Sequence, residues 1–216
     1  MDSDMITVWG RATSSNVQKV MWTIGELGLA HKRIDVGGKY GGLDTPEYRA
    51  MNPHGVIPTI EMDGYVMWES NAIVRHLASL DPSRRLWPAE PAASGAADMW
   101  AEWSSIYVQR PVTALFWAVV RTRPSEHDAN KIAAAKKEAY GALAKANAVL
   151  ETRDFLAGDT LSIADINFGH TLYRYHEMEI DRPDLPGVAA YYARLSTRPA
   201  YNEHVKVDFS SLRVTD

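Results

Sequence analysis

Residues 57–68 read IPTIEMDGYVMW, and they decide the predicted fold. Two runs rich in β-branched, aromatic and other apolar residues, 57–62 and 65–68, stand on either side of Asp63-Gly64. An Asp-Gly pair between two such runs is the strongest short signal for a β-hairpin. The segment therefore predicts two antiparallel strands joined by a tight turn.

The residues around this hairpin predict a small mixed sheet. Apolar residues at helical spacing over 15–27 lie between strand-like runs at 6–9 and 32–36. A strand–helix–strand unit places its two strands parallel to each other. A short helix is predicted at 46–51 and another at 70–80. The predicted fold class is α+β, with the element order βαβαββα.

The remainder of the chain changes character at a turn-rich segment. We place a first domain at 1–81, a linker at 82–91 and an all-α domain at 92–216. In the helical domain we expect a kink at Pro111, because proline removes a helical hydrogen bond. The predicted helices are 92–120, 126–150, 163–178, 188–195 and 199–204.

Composition excludes several classes of protein. The 216 residues are 46% apolar and 23% charged, which is typical of a globular chain. No stretch approaches the ~20 apolar residues of a membrane helix. The net charge of −4 argues against a nucleic-acid surface. The first residues, MDSDMITVWG, lack a basic segment ahead of an apolar run, so we expect no secretory signal.

The absence of cysteine narrows the chemistry further. It excludes disulfides, thiolate metal sites and a cysteine nucleophile. Sulfur chemistry would therefore need a ligand that brings the sulfur. The seven histidines show no tight ligand spacing, so we expect no metal site.

Three polar residues, Ser14-Ser15-Asn16, follow the first predicted strand and open the first helix. Hydroxyl and amide side chains at a helix start are ordinary N-caps, which explains one of them. The same helix end carries partial positive charge and can hold an anion, including a thiolate. Both interpretations stay open from these residues alone.

The segment Asn52-Pro53-His54-Gly55-Val56-Ile57-Pro58-Thr59 leads into the hairpin. If the bond between Ile57 and Pro58 is cis, the backbone N–H and C=O of Ile57 turn outward as an edge for a peptide-like ligand. The alternative is an edge strand that begins with proline.

The turn from the hairpin to the next helix reads Trp68-Glu69-Ser70-Asn71-Ala72-Ile73. Ser70 is a good N-cap residue, and the helix start beside it suits a carboxylate. The Glu69 carboxylate would attract an ammonium group. Together the two residues describe a receptor for an amino-acid head group.

In this order, the three segments resemble the first domain of the cytosolic glutathione transferases, in particular the bacterial, serine-type, theta-like branch. A fourth motif, FLAGDTLSIAD at 155–165, resembles the capping box of that family's second domain, and its Ser162 and Asp165 have the required spacing. The resemblance spans roughly residues 5–205. It implies a thioredoxin-like first domain, an all-helical second domain, a cytoplasmic homodimer and a role in detoxification.

The resemblance also implies functional residues. Ser14 matches the serine that stabilises the glutathione thiolate, with Asn16 as the second catalytic candidate and Ser15 as a further alternative. The residues expected to bind glutathione, the co-substrate, are Ser14, Ser15, Asn16, Lys39, His54, Val56, Ile57, Pro58, Glu69 and Ser70. Lys39 and His54 are the two choices for the glycyl carboxylate.

The second substrate, a small hydrophobic electrophile, is expected against the long helix after residue 92. Its pocket residues are predicted to be Arg11, Tyr107, Thr113 and Trp117, whereas Trp100 and Trp103 are predicted to be core. The expected reaction is conjugation. The alternatives are glutathione-dependent reduction of peroxides or disulfides, and a non-catalytic binding protein of the same fold.

Overall fold

In the computed structural model, which describes residues 5–216, the chain falls into two units. One unit holds the residues up to Leu86 together with Pro199–Val207. The other holds Trp87–Arg198 and Asp208–Asp216. Residues 1–4 lie outside the described residues. They begin the predicted domain 1–81, and they belong to the segment MDSDMITVWG from which we expect no secretory signal.

The first unit is built on a four-stranded mixed sheet in the order β2-β1-β3-β4. β1 runs parallel to β2 and antiparallel to β3, and β3 runs antiparallel to β4. The mixed sheet predicted from the crossover and the hairpin is therefore confirmed. The strands are β1 (Ile6–Trp9), β2 (His31–Ile34), β3 (Thr59–Met62) and β4 (Tyr65–Trp68).

Three helices complete the predicted order βαβαββα. They are α1 (Ser15–Leu27), α2 (Pro46–Met51) and α3 (Ser70–Leu80). α1 ends at Gly28, which adopts the left-handed conformation that suits glycine. α1 and α3 pack against each other. Their apolar faces contribute fully buried side chains to the core, among them Val17, Val20, Ile24, Ile73 and Leu77.

Two strand boundaries differ from the prediction. β2 covers His31–Ile34 rather than 32–36, and it ends just before the glycine-rich loop that starts at Gly37. β3 begins at Thr59 rather than at residue 57. Pro58 has no N–H to donate to the ladder, so the strand starts after it.

The last helix of the chain, α10 (Pro199–His204), belongs to the first unit. This division differs from the predicted boundary, which places residues 92–216 in one helical domain. α10 packs against α1, where the ring of Tyr201 meets that of Trp22 edge to face at 4.8 Å. Both rings are fully buried, so this contact is part of the first unit's core.

The second unit is helical, as predicted. Its helices are α4 (Pro91–Trp103), α5 (Arg110–Val120), α6 (Ala129–Leu150), α7 (Ile163–Gly169), α8 (Leu172–Glu177) and α9 (Pro186–Leu195). A π-helical segment, Ser104–Gln109, joins α4 to α5 where we predicted a kink at Pro111. Pro111 cannot donate to residue 107 and its ring crowds that carbonyl, which favours a wider turn just before it.

The helix predicted over 163–178 is divided into α7 and α8. The backbone N–H of Thr171 donates to the Phe168 carbonyl at 3.2 Å, and the Thr171 hydroxyl donates to the same oxygen at 2.8 Å. Both bonds tighten the backbone to a three-residue turn. This turn ends α7 and redirects the chain into α8.

The predicted capping box at the start of α7 is present. Asp165 is fully buried and accepts from the backbone N–H of Ser162 at 2.9 Å and from its hydroxyl at 3.1 Å. Its other oxygen accepts from the Leu156 N–H and the Tyr191 hydroxyl, each at 3.0 Å. Burial raises the pKa of Asp165, and these hydrogen bonds oppose the rise.

Candidate functional site

The sheet register brings the three polar motifs of the first unit to one end of the sheet. Thr59 pairs with Trp9 on one side and with Trp68 on the other. The chain leaves β1 after Trp9 and leaves β4 after Trp68, and it enters β3 from Pro58. The segments that follow Trp9 and Trp68 therefore meet the segment that precedes Thr59.

Ser14 is the N-cap residue of α1, but its hydroxyl makes no capping hydrogen bond. Its backbone is extended, with φ −85° and ψ 124°, and its carbonyl accepts from the Gln18 N–H at 2.9 Å. The side chain is half-buried. A hydroxyl that is not used for capping at the positive end of a helix can donate to an anion.

Ser15 and Asn16 are the first two residues of α1, and both are half-buried. All three candidates for the sulfur contact thus lie within one turn. The first turn of α1 contains no acidic residue of its own. Their positions and burial therefore do not distinguish Ser14, Ser15 and Asn16 as candidates for the sulfur contact.

The loop before β3 is held by a buried polar network. The amide of Asn52 donates to the Val56 carbonyl at 2.9 Å and to the Thr59 hydroxyl at 3.2 Å. The Tyr48 hydroxyl donates to the same Val56 carbonyl at 2.7 Å and lies 2.9 Å from the Thr59 oxygen. Burial raises the pKa of the Tyr48 hydroxyl. This network fixes the backbone on which Val56, Ile57 and Pro58 lie.

The Ile57–Pro58 bond is cis, which was one of the two open interpretations of this segment. Pro58 is buried, Ile57 is half-buried and Val56 is exposed. Ile57 lies beyond the last pair of the β1–β3 ladder, Thr59 with Trp9. At Gly10, which has φ +154°, a β-carbon would lie 2.4 Å from Cγ2 of Val17 and 3.4 Å from Cβ of Ile57. Glycine at this position allows the end of β1 to approach Val17 on α1.

Glu69 occupies an unusual backbone conformation at the start of α3. Its φ is +71° and its ψ is 104°, a region that residues other than glycine rarely adopt. The Glu69 carboxylate is exposed, while Ser70 is only 8% exposed. Ser70 is the first residue of α3 and Glu69 is its N-cap, so the predicted N-cap role of Ser70 is wrong by one position. Strain at such a turn is typical of a binding site.

The two residues predicted for a glycyl carboxylate are both exposed. Lys39 lies in a short 3₁₀ turn, Gly38–Tyr40, with its ammonium 5.1 Å from the centre of the Tyr40 ring. The ring of His54 contacts that of Trp68 edge to face at 5.0 Å. The backbone N–H of His54 donates to the Asn52 side-chain oxygen at 3.1 Å.

The four residues predicted for the second substrate lie in different units. Arg11 belongs to the first unit and lies against the glycine loop, where a β-carbon at Gly38 would be 3.3 Å from its Nε. Tyr107 is exposed on the π-helical segment. Thr113 is half-buried on α5, and Trp117 is exposed with the Arg121 guanidinium 4.8 Å from its ring centre.

A groove of about 550 Å³ runs between the π-helical segment and α6 in the helical unit. Tyr107 lines it together with Trp103 and Ile106. Its charged lining residues are Arg110, Lys137, Glu138 and Lys145. Thr113 and Trp117 lie outside it.

Trp103 and Trp100 are half-exposed, so their assignment to the core is wrong. Their rings pack on each other edge to face at 5.0 Å because a helix presents positions three apart on one side.

The part of the chain that the structure describes contains no cluster of three or more histidines, aspartates or glutamates suited to a metal ion. Within residues 5–216, no helix is long and apolar enough to cross a membrane.

Sequence reasoning missed two residues that shape this end of the sheet. One is Tyr48, whose signal is weak because it is a single tyrosine in a short helix. The other is Lys19, which is buried in α1 and donates to the Asn71 side-chain oxygen at 2.5 Å. Its position on the apolar face of a predicted helix is a signal that helical periodicity could have given.

Both parts of the chain match models of one protein family. Residues 9–85 match the glutathione S-transferase N-terminal domain. Residues 108–199 match the glutathione S-transferase C-terminal domain.

Individual relatives extend this match over nearly the whole chain. Glutathione S-transferase GstB of Escherichia coli strain K12 is 33% identical over 208 residues, which cover 95% of this chain and 100% of the relative. Glutathione S-transferase 3 of Zea mays is 30% identical over 213 residues, with 93% of each chain covered.

A solved structure agrees with these relatives. The theta class glutathione S-transferase of Xanthomonas axonopodis pv. citri, with glutathione bound, superposes with a TM-score of 0.90 at 44% identity. The match covers 95% of this chain and 99% of that one. The chain therefore belongs to the glutathione S-transferase family of enzymes.

Proposed function

We propose that this enzyme stabilises the thiolate of glutathione with a hydrogen bond from the Ser14 hydroxyl, the thiol proton passing to solvent, and that the thiolate attacks a small apolar electrophile. The observation that carries the proposal is the Ser14 hydroxyl, which stands at the N-cap of α1 and makes no capping bond. The chain has no cysteine, so the reacting sulfur must come with the co-substrate.

The energetics of this contact are adequate. A free thiol has a pKa of about 8.5, and lowering it by about two units requires ~2.7 kcal/mol of preference for the thiolate. A hydrogen bond to a charged acceptor contributes about 1.5–3 kcal/mol, and a helix N-terminus adds up to about 1 kcal/mol. One hydroxyl at the start of α1 is therefore sufficient.

The rest of glutathione would extend along the same end of the sheet. The backbone of Ile57, set by Pro58 and Val56, would pair with the cysteinyl part. Glu69 and Ser70 would take the γ-glutamyl ammonium and carboxylate, which matches the exposed carboxylate and the helix start found there. Lys39 and His54 stay the candidates for the glycyl carboxylate.

In the proposed reaction the thiolate attacks an electrophilic carbon. A carbon–sulfur bond forms, and the bond to the leaving group breaks with its electron pair. The chain's contribution is to hold the sulfur ionised and to position it. Arg11, Tyr107, Thr113 and Trp117 stay our predictions for contacts to the electrophile. The rings of the tyrosine and the tryptophan suit an apolar molecule.

We also propose that the enzyme is a cytoplasmic homodimer. The first unit of one subunit would pack against the helical unit of the other. Exposed apolar side chains on both units support this, among them Val56 and Tyr65 in the first and Met99 and Ile106 in the second. The cytoplasm is the compartment in which glutathione keeps thiols reduced, which suits an enzyme that consumes it.

The proposal is tested with Ser14→Ala, with Ser15→Ala and Asn16→Ala as matched variants. The conjugation rate of a chromogenic aryl halide is measured at saturating glutathione, and glutathione binding is measured by calorimetry. We expect Ser14→Ala to lose about 10- to 150-fold in rate and to keep its binding, because one charge-assisted hydrogen bond disappears. The other two variants should retain most of the rate.

Two outcomes would overturn parts of the proposal. If Ser14→Ala keeps full rate while Asn16→Ala loses it, the sulfur contact belongs to Asn16. If the wild type reduces peroxides and conjugates no electrophile from a broad panel, the reaction is glutathione-dependent reduction.

A further inference from the structure

Lys19 is a buried lysine in the middle of the first unit. It lies in the second turn of α1 and is 1% exposed. Its ammonium donates to the side-chain oxygen of Asn71 on α3 at 2.5 Å. An ammonium group rarely leaves water without a specific partner, because its desolvation costs several kcal/mol. Nothing in the proposed mechanism uses this group.

The contact joins the two helices that begin at the proposed site. Asn71 directly follows Glu69 and Ser70, which we assign to the γ-glutamyl group. Lys19 follows Ser14 by five residues on α1. The hydrogen bond therefore ties the helix that carries the sulfur contact to the turn that carries the head-group contact.

We propose that Lys19 is a positioning residue for glutathione, because its ammonium holds Asn71 and thereby keeps the strained turn at Glu69 and Ser70 in its binding conformation. The inference rests on the proposed function. It assigns no contact between Lys19 and the substrate. The turn needs such support, since a non-glycine residue at φ +71° persists only where its surroundings hold it.

The charges around Lys19 make the support dependent on pH. Burial lowers the pKa of Lys19 to about 7, the carboxylate of Glu69 opposes this shift and the guanidinium of Arg75 adds to it. α3 and α10 pack against α1, and the ionisable groups of α10 are Glu203 and His204. His204 lies against Gly25, further along α1. The charge on Lys19 is thus present below a pH of about 7 and is lost above it.

A purely space-filling role makes a different prediction. A methionine would fill nearly the same volume, and the unit would then bind glutathione as before. A positioning role predicts that the affinity for glutathione falls while the chemical step at saturating substrate is preserved. The two roles are separated by the Michaelis constant for glutathione, the maximal rate and the pH profile of binding.

The first experiment compares Lys19→Met with wild type and with Lys32→Met, which removes an exposed lysine from β2. Calorimetry measures the affinity for glutathione between pH 6 and 8.5, and the aryl halide assay gives KM and kcat. We expect Lys19→Met to raise KM for glutathione by about 10-fold or more, with kcat within about two-fold of wild type. Lys32→Met should match wild type.

The second experiment uses Asn71→Asp. A carboxylate at this position pairs with Lys19 and keeps the ammonium charged to higher pH. Whatever its effect on affinity at one pH, this variant should move the pH at which glutathione affinity declines upward by about one unit or more. This measurement does not depend on whether Lys19→Met folds.

The outcomes separate the inference from the proposed function. If wild type binds no glutathione, the proposed function fails first. If wild type binds it and a folded Lys19→Met has the same KM and pH profile, the positioning role is overturned. If Lys19→Met does not fold, an Asn71→Asp profile identical to that of wild type overturns it.

Discussion

The two units bury charged groups for different purposes. In the helical unit the carboxylate of Asp165 accepts from the Ser162 backbone and hydroxyl, the Leu156 N–H and the Tyr191 hydroxyl. Every one of these donors belongs to the same unit, and the group serves the start of α7. In the first unit the ammonium of Lys19 links two helices at the end of the sheet where the proposed site lies.

The difference shows where each unit can tolerate change. A carboxylate surrounded by four donors is a structural element, and its loss should affect folding before anything else. A buried ammonium beside a strained turn should affect binding as well as stability. Substitutions in the two units should therefore separate folding from glutathione affinity.

The largest expected effect is that of Asp165→Asn in the helical unit. The amide can accept at only one of the two oxygen positions, so buried donors lose their partner, and each such loss costs about 1–3 kcal/mol. We expect the free energy of unfolding to fall by about 3 kcal/mol, as measured in urea. Tyr191→Phe removes a single donor and should cost only about 1 kcal/mol. Equal losses in the two variants would contradict the four-donor account.

A smaller effect of opposite sign is expected at Glu69 in the first unit. Glu69→Gly relieves the backbone strain at φ +71° and should stabilise the fold by about 1 kcal/mol, while glutathione affinity falls. Glu69→Gln is the matched control, since it removes the charge and keeps the strain. Thermal unfolding and calorimetry measure both quantities. The strain account fails if Glu69→Gly is no more stable than Glu69→Gln.

The effect that is smallest near neutral pH concerns acid stability, to which both units contribute a histidine. Burial, with a contribution from Arg182, lowers the pKa of His176 in the helical unit to about 4. Burial also lowers the pKa of His204 in the first unit. A histidine with a lowered pKa in the folded state contributes stability above its ordinary pKa, and this stability is lost as the pH falls.

We therefore expect wild type to lose stability as the pH falls from 6.5 towards 4. His176→Phe keeps the stacking on Tyr192, whose ring centre lies 4.2 Å away, and should flatten this dependence. His204→Gln removes the corresponding group from the first unit. Urea unfolding at several pH values measures each slope. A His176→Phe slope as steep as that of wild type would show that the pKa of His176 is the same in the folded and the unfolded state.

The elements of the first unit followed from local signals. α1, α2 and α3 begin and end where their apolar spacing and flanking residues predict. The Asp63-Gly64 pair and the crossover determined the sheet, because turn chemistry and handedness leave few alternatives. The grouping of α10 with this unit could not be predicted, since it depends on Tyr201 reaching Trp22 across the sequence.

In the helical unit the prediction missed the places where helices end and begin. Pro111 predicted a disturbance, but the form it takes, a π-helical segment before α5, depends on how six residues share their hydrogen bonds. The division between α7 and α8 depends on the tight turn at Thr171. Periodicity alone does not detect either, because both breaks leave the apolar spacing nearly intact.

The candidate site was predictable where a residue type has one strong physical role. Pro58 lies where its motif placed it, directly before β3, whereas Ser70 is the first residue of α3 and not its N-cap. Tyr48 and Lys19 were not predicted, because their roles arise from side chains that meet only after the sheet and helices assemble. Trp103 was assigned to the core because aromatic spacing on a helix does not distinguish a buried face from a groove.

The return of α10 to α1 has a consequence for how the protein is made. A ribosome completes the strands and the first three helices long before it reaches Pro199, yet the ring that packs on Trp22 belongs to Tyr201. Until then the nascent first unit exposes the part of α1 around Trp22, an apolar surface to which chaperones can bind. The beginning of this chain reaches its final state only when nearly all of the chain has been synthesised.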